Sequence, residues 1–167
     1  MSSPSIAKTV QQALEMLANG IAENTILAHL VNAAERLVGE NSVSSILILD
    51  RQGLLRNACS PKLPHDYLHA IDGLRPNPNV GTCAAVAATG AMVVTLDFRS
   101  DDKWGELRHL PLSLGFVGAW SLPIKDMEGR VLGTFGTYLR ESRPPSEKEI
   151  EGKQALAHAA ARVLQIR

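Results

Sequence analysis

The sequence predicts an α+β domain: a mainly antiparallel sheet with helices at both chain ends. Apolar residues recur at helical spacing near the N-terminus (Val10, Leu14, Leu17, Ile21) and near the C-terminus (Ile150, Ala157, Ala161, Leu164). Between them, two pairs of short apolar runs are joined by turn chemistry, Asp50-Arg-Gln-Gly53 and Lys125-Asp-Met-Glu-Gly-Arg130, and each pair reads as a β-hairpin. Hairpins pair antiparallel, whereas a parallel sheet needs a crossover helix between successive strands.

The elements follow in order. Asn19-Gly20 interrupts the first helical stripe. Asn24 is placed to cap a second helix, which carries Leu27, Leu30, Ala34 and Leu37 on one face; Gly39 suits a left-handed C-terminal cap. Ser45–Leu49 and Leu54–Cys59 are the strands of the first hairpin, and Pro61 and Pro64 follow it. His65–Ile71 reads as a brief helix, and Asp72–Gly81 as a loop rich in Gly, Pro and Asn. Thr82 is the expected N-cap of a short helix from Cys83 to Thr89, closed by Gly90. Met92–Leu96 is a strand, Asp97–Trp104 is irregular, and Glu106–Leu114 is helical within the limit set by Pro111. Val117–Ile124 and Val131–Tyr138 form the second hairpin. After Pro144-Pro145, Ser146 and Glu149 make a capping box for a helix running to Arg167. Its apolar residues fall on two adjacent faces, the second carrying Leu156, Ala160 and Val163.

At 167 residues the chain reads as one domain with room for a real core. Seventeen basic and seventeen acidic residues balance, so there is no overall electrostatic footprint for nucleic acid or acidic membranes. Cys59 and Cys83 are the only cysteines, which excludes a disulfide framework and a CxxC metal signature. No apolar run approaches the ~20 residues of a membrane span, and the opening MSSPSIAK has no secretory pattern. The expectation is a cytoplasmic protein. No Walker loop, catalytic triad or HExxH is present.

Four blocks carry a family resemblance: GTCAAVAATG, VVTLDFRSDDKW, GFVGAWSLPI and GRVLGTFGTY. In this order and spacing they resemble a GAF domain, of the type found in bacterial sensor kinases and cyclic-di-nucleotide signalling proteins. The likeness covers residues 22 to 166. One position departs from the usual pattern: the glycine that commonly follows the cysteine is Ala84. The resemblance implies a PAS-like fold with a sheet of about five or six strands. It also implies terminal helices on one sheet face, often forming a homodimer interface, and a ligand pocket under loops and short helices on the other. On that reading residues 1–21 are a dimerisation or linker helix and residues 22–167 a sensory domain without catalysis of its own. A histidine kinase or cyclic-di-nucleotide output domain would be its partner in a longer protein.

The expected ligand-binding set is Thr82, Cys83, Ala84, Ala85, Asp97, Trp104, Trp120 and Ser121. In a helix starting at Thr82 the first N–H groups have no intrahelical partner and the dipole favours an anion, so a small anion such as nitrate is one expected ligand. The competing reading is that Ala84, Ala85, Ala87 and Ala88 let the helix lie close on the sheet. Asp97–Trp104 reads as a polar loop beside the pocket. Trp120 and Ser121 are consecutive in a strand, so at most one of them faces the ligand.

Cys83 raises a rival class, a thiol-dependent reductase of the free methionine sulfoxide reductase type. That chemistry needs a second thiol to resolve a sulfenic acid, and only Cys59 is available. A bilin is disfavoured because Ala84 and Ser60, not histidines, follow the cysteines. For haem the candidates are His29, His158, His109 and the pair His65 and His69, but nothing completes a ligand set at matched spacing. No cofactor and no metal are expected, and the cyclic-nucleotide signature of some family members is missing.

Overall fold

The computed structural model describes residues 3–165. Its elements are α1 (Ser3–Ala18), α2 (Glu23–Val38), β1 (Val43–Leu49), β2 (Leu55–Cys59), α3 (His65–Ile71), α4 (Cys83–Thr89) and β3 (Val93–Thr95). A 3-10 turn (Gly105–Arg108), α5 (His109–Ser113), β4 (Gly118–Lys125), β5 (Val131–Leu139) and α6 (Glu147–Leu164) complete the fold. The expected continuation of the last helix to Arg167 lies outside the described residues.

The two hairpins and β3 merge into one five-stranded sheet in the order β2-β1-β5-β4-β3. Every neighbouring pair is antiparallel. The second hairpin therefore lies between the first hairpin and β3, which makes β5 the central strand. Strand alternation then divides the core. Ile46 of β1 and Phe135 of β5 join residues of α1, α2 and α6 in one apolar cluster. Leu47 and Tyr138, one residue or three residues along, join α3, α4 and the segment from Phe98 to Phe116 in another. Helices α1, α2 and α6 thus cover one face, and the short helices cover the other.

Two glycines of the second hairpin are explained by contact. A Cβ on Gly133 would run into the Leu47 carbonyl across β1. One on Gly136 would stand 3.2 Å from Cys83 Sγ. A buried acid, unannounced by the sequence, ties α2 to the sheet: Glu35 accepts from the Ser44 N–H at 2.9 Å and pairs with Lys62 at 3.2 Å.

The capping box of α6 is formed as its spacing predicts. The Glu149 N–H donates to Ser146 Oγ at 3.2 Å, and the Ser146 N–H donates to Glu149 Oε1 at 2.8 Å. Arg143 adds a bidentate pair to the same carboxylate, at 2.8 and 3.0 Å. Despite burial, these partners hold Glu149 below the usual glutamate range.

Several local expectations are corrected. The N-cap of α2 is Ala22, with no side-chain cap, and Asn24 lies inside the helix. Gly39 closes α2 at φ +137°, ψ 158°, an extended conformation open to glycine rather than the left-handed helical one. The inward line of α1 is Ile6, Thr9 and Ala13. The predicted stripe of Val10, Leu14 and Leu17 is half-buried beside it, and Ile21 is 41% exposed. The reason is packing direction: α2 and α6 meet α1 one step round the helix from its most apolar line. Edge strand β3 is shorter than expected, with Met92 and Leu96 exposed at its ends.

Candidate functional site

The face of the sheet turned away from α1, α2 and α6 presents Leu47, Tyr138, Gly136 and Ser121, since Gly136 pairs with Ser121 in register. Helix α4 lies across this floor. Ala84 and Ala85 are buried, and Cys83 Sγ sits over the bare Gly136, donating a long contact to Ser121 Oγ at 3.7 Å. The run of small residues in GTCAAVAATG is thereby accounted for: a larger side chain would lift α4 off the sheet.

Opposite the floor stand α3, the loop after it and the 3-10 turn. They supply Tyr67, Ile71, Leu74 and Leu107, which with Trp104 close a cavity of about 20 Å³. Among the described residues, no Lys, Arg, His, Asp or Glu lines it.

Its hydroxyl and indole groups are satisfied by one another and by Thr95. The Tyr67 and Tyr138 hydroxyls are 2.7 Å apart, and their rings meet edge-on at 5.7 Å. Burial raises both phenols above their ordinary range, so both stay protonated. On the other side, Thr82 and Thr95 share a hydroxyl contact of 2.9 Å, and Trp104 Nε1 donates to both at 3.1 and 3.2 Å. This corrects the reading of Thr82 as an N-cap. Its backbone is already helical and its side chain caps nothing, because the hydroxyl is engaged with Thr95 and Trp104.

The expected binding residues separate into four groups. Thr82, Cys83, Ala84 and Trp104 line the cavity. Ala85 and Ser121 are buried next to it, in α4 and beneath Cys83. Asp97 lies outside and turns its carboxylate to Arg99, whose hydrogen bonds hold its pKa down at about 2. Trp120 belongs to the opposite face, with Leu122 and Leu139. Lys153 Nζ lies 4.1 Å above its ring, and its Nε1 has no hydrogen-bond partner among the described residues.

The histidines lie elsewhere. His65, His69, His109 and His158 are exposed, and His29 meets Gln12 at 3.1 Å. No cluster of three or more His, Cys, Asp or Glu that could hold a metal occurs among the described residues.

Sequence reasoning missed Tyr67 and Tyr138. A signal for Tyr138 was present, since it is two residues from Gly136 and so shares its strand face. Tyr67 and Ile71 are four apart in α3 and share its inward side. Nothing local marked Leu107.

Comparison with known proteins decides the family. A GAF domain family model matches residues 20–165. The chain belongs to the GAF domain family. A relative, the methyl sulfide methyltransferase-associated sensor of Methanosarcina acetivorans, is 35% identical over 149 residues. The match covers 88% of this GAF domain chain but 15% of that sensor, so the chain spans a small part of that relative's length. Among solved structures, the GAF domain of a phosphoenolpyruvate-protein phosphotransferase from Coxiella burnetii superposes with a TM-score of 0.77 at 16% identity. It covers 99% of this chain and 96% of that one. A type II free methionine-R-sulfoxide reductase from Thermoplasma acidophilum gives a TM-score of 0.67 at 12% identity, over 86% of this chain and 93% of that one. At these identities the two structures establish the shared GAF fold. No helix among the described residues is long and apolar enough to cross a membrane.

Proposed function

We propose that this GAF domain is a sensory module that binds a small ligand in the cavity between α4, α3 and the sheet. Binding is relayed to the terminal helices. The observation that carries the reading is the juxtaposition of Ser121 and Trp120. Ser121 lies under Cys83 beside the cavity, and Trp120, the preceding residue of β4, lies under Lys153 of α6. A displacement of β4 by a ligand is therefore felt directly by the helix at the chain's end. Ligand binding signals only if it favours one arrangement of these parts over another.

Pairing of two copies through the terminal helices, as the family resemblance implies, would make those helices move together. In a longer protein the output would be a histidine kinase or a cyclic-di-nucleotide domain. The sensor named among the relatives supports this class of role.

The thiols do not suit the reductase reading. Cys83 lies on the cavity face and Cys59 in the cluster under α2 and α6, with the sheet between them. The test is an absorption spectrum and native mass of the freshly purified protein, followed by a thermal-shift screen of small metabolites and anions. A retained mass or a saturable rise in midpoint supports the sensory role. Bare mass and no shift with any compound would remove it.

A further inference from the structure

The cavity is an order of magnitude smaller than the about 300 Å³ at which ordinary ligand sites begin, and holds no more than a single water. A ligand therefore enters only if a wall moves. The inner wall is fixed: Leu47, Ala84 and Tyr138 are at most 5% exposed and packed on the sheet. The outer wall is held less evenly: Tyr67 and Ile71 are buried, but Leu74 and Leu107 beside them are half-buried. Tyr67 of α3 bridges the two walls through its hydroxyl contact with Tyr138. Opening the outer wall with α3 separates that pair and leaves two phenol groups facing the new space.

The chemistry of the walls restricts what can fill that space. Among the described residues no cationic or anionic side chain lines it, and burial holds the tyrosines in the neutral form. A charged guest would lose its hydration with no counter-ion to compensate, a cost that exceeds what hydroxyl contacts return. Thr82, Thr95 and Trp104 already satisfy one another, so an apolar body beside them strands no polar group.

We propose that the site takes a neutral, largely apolar small molecule, whose single hydrogen-bonding group is received by the parted Tyr67 and Tyr138 hydroxyls. This rests on the sensory reading above and names its ligand class. It also sets aside the anion suggested by the start of α4, for which the lining offers no positive side chain.

The experiment uses benzene-ring probes matched in shape, with nitrate as a small anion beside them, on the full chain, read by ligand-observed NMR and thermal shift: toluene, benzyl alcohol and benzamide against benzoate, benzylammonium and nitrate. The neutral probes are expected to bind at least tenfold more tightly than the ionised ones. Leu107→Trp, a change at a half-buried position that fills the outer wall, should abolish their binding. Tyr67→Phe should lower the affinity of benzamide relative to toluene several-fold. Benzoate or nitrate binding as tightly as benzamide, and lost in Leu107→Trp, would overturn the ligand class while leaving the sensory reading intact. Neutral binding that survives Leu107→Trp would overturn the assignment to this cavity. Binding of no probe, neutral or charged, would overturn both.

Discussion

Lys153 Nζ lies 4.1 Å from the centre of the Trp120 ring, in a position with no solvent access. Its hydrogen bond is a long one, 3.4 Å to the Trp120 carbonyl, and Phe135 lies 5.2 Å away on another side. Burial drives the Lys153 pKa well below the ordinary lysine value of 10.5, and Cys83 and Glu149 offset this only in part. The unfolded chain then binds a proton that the folded chain does not, so stability rises with pH until the ordinary lysine value is reached. Lys153→Met keeps the length and removes the amine. We expect it to be more stable than the parent by about 1–3 kcal/mol at pH 7. That gap should close as pH rises towards 10.5. Urea unfolding of both proteins from pH 7 to 9.5 measures it, and a gap independent of pH would refute the buried neutral amine.

Gly136 and Cys83 are coupled across the cavity floor. An added methyl on Gly136 would meet Cys83 Sγ at 3.2 Å and Ser121 Oγ at 3.7 Å. Gly136→Ala alone should destabilise by about 1–3 kcal/mol, the usual range for overpacking. In a Cys83→Ala background the space is free, and alanine is the better strand residue, so the same change should be neutral or favourable. A double-mutant cycle by chemical denaturation reads the coupling directly. Equal costs in both backgrounds would show that α4 is not seated on this glycine.

The fold was legible because its signals are local and repeated: two turns with Gly between apolar runs, a capping box, and helical spacing at both ends. The site was less legible because its walls meet only in three dimensions. Trp104 and Cys83 stand in conspicuous blocks and do line the cavity, whereas Trp120 is equally conspicuous and faces the other way. Thr82 has a cap's position and residue type, but its hydroxyl has partners thirteen and twenty-two residues on. Tyr67 and Tyr138 are seventy-one residues apart and meet hydroxyl to hydroxyl. Periodicity shows which side of an element turns inward, and it does not show what waits there.

Glu149 should shape the acid limb of the stability curve. Its pKa lies below the ordinary glutamate value of 4.5 because Arg143 and the Ser146 N–H favour the carboxylate. Its contribution is therefore full above pH 4.5 and is lost as pH falls through the lowered value. Glu149→Gln should be less stable than the parent at pH 7 and approach it at pH 3. Ser146→Ala, which removes the other half of the box, should cost about 1 kcal/mol with little pH dependence. Thermal melts of both variants across this range test the assignment, and a Glu149→Gln deficit unchanged at pH 3 would contradict it.

Oxidation separates sensing from thiol catalysis. Cys59 and Cys83 are both free, on opposite faces of one sheet. Burial raises the Cys59 pKa to about 11, which leaves it almost entirely as the unreactive thiol near neutral pH. A sulfenic acid formed at Cys83 would meet Ser121 Oγ and the Gly136 backbone rather than a second thiol. Treating the folded protein with hydrogen peroxide should thus yield no intramolecular Cys59–Cys83 disulfide in an intact-mass and peptide-mapping experiment. Cys83→Ser should leave free methionine sulfoxide unreduced to the same extent as the parent. A disulfide formed faster than global unfolding, together with reductase turnover lost in Cys83→Ser, would require the sheet to open between the two cysteines and would replace the sensory reading with an enzymatic one.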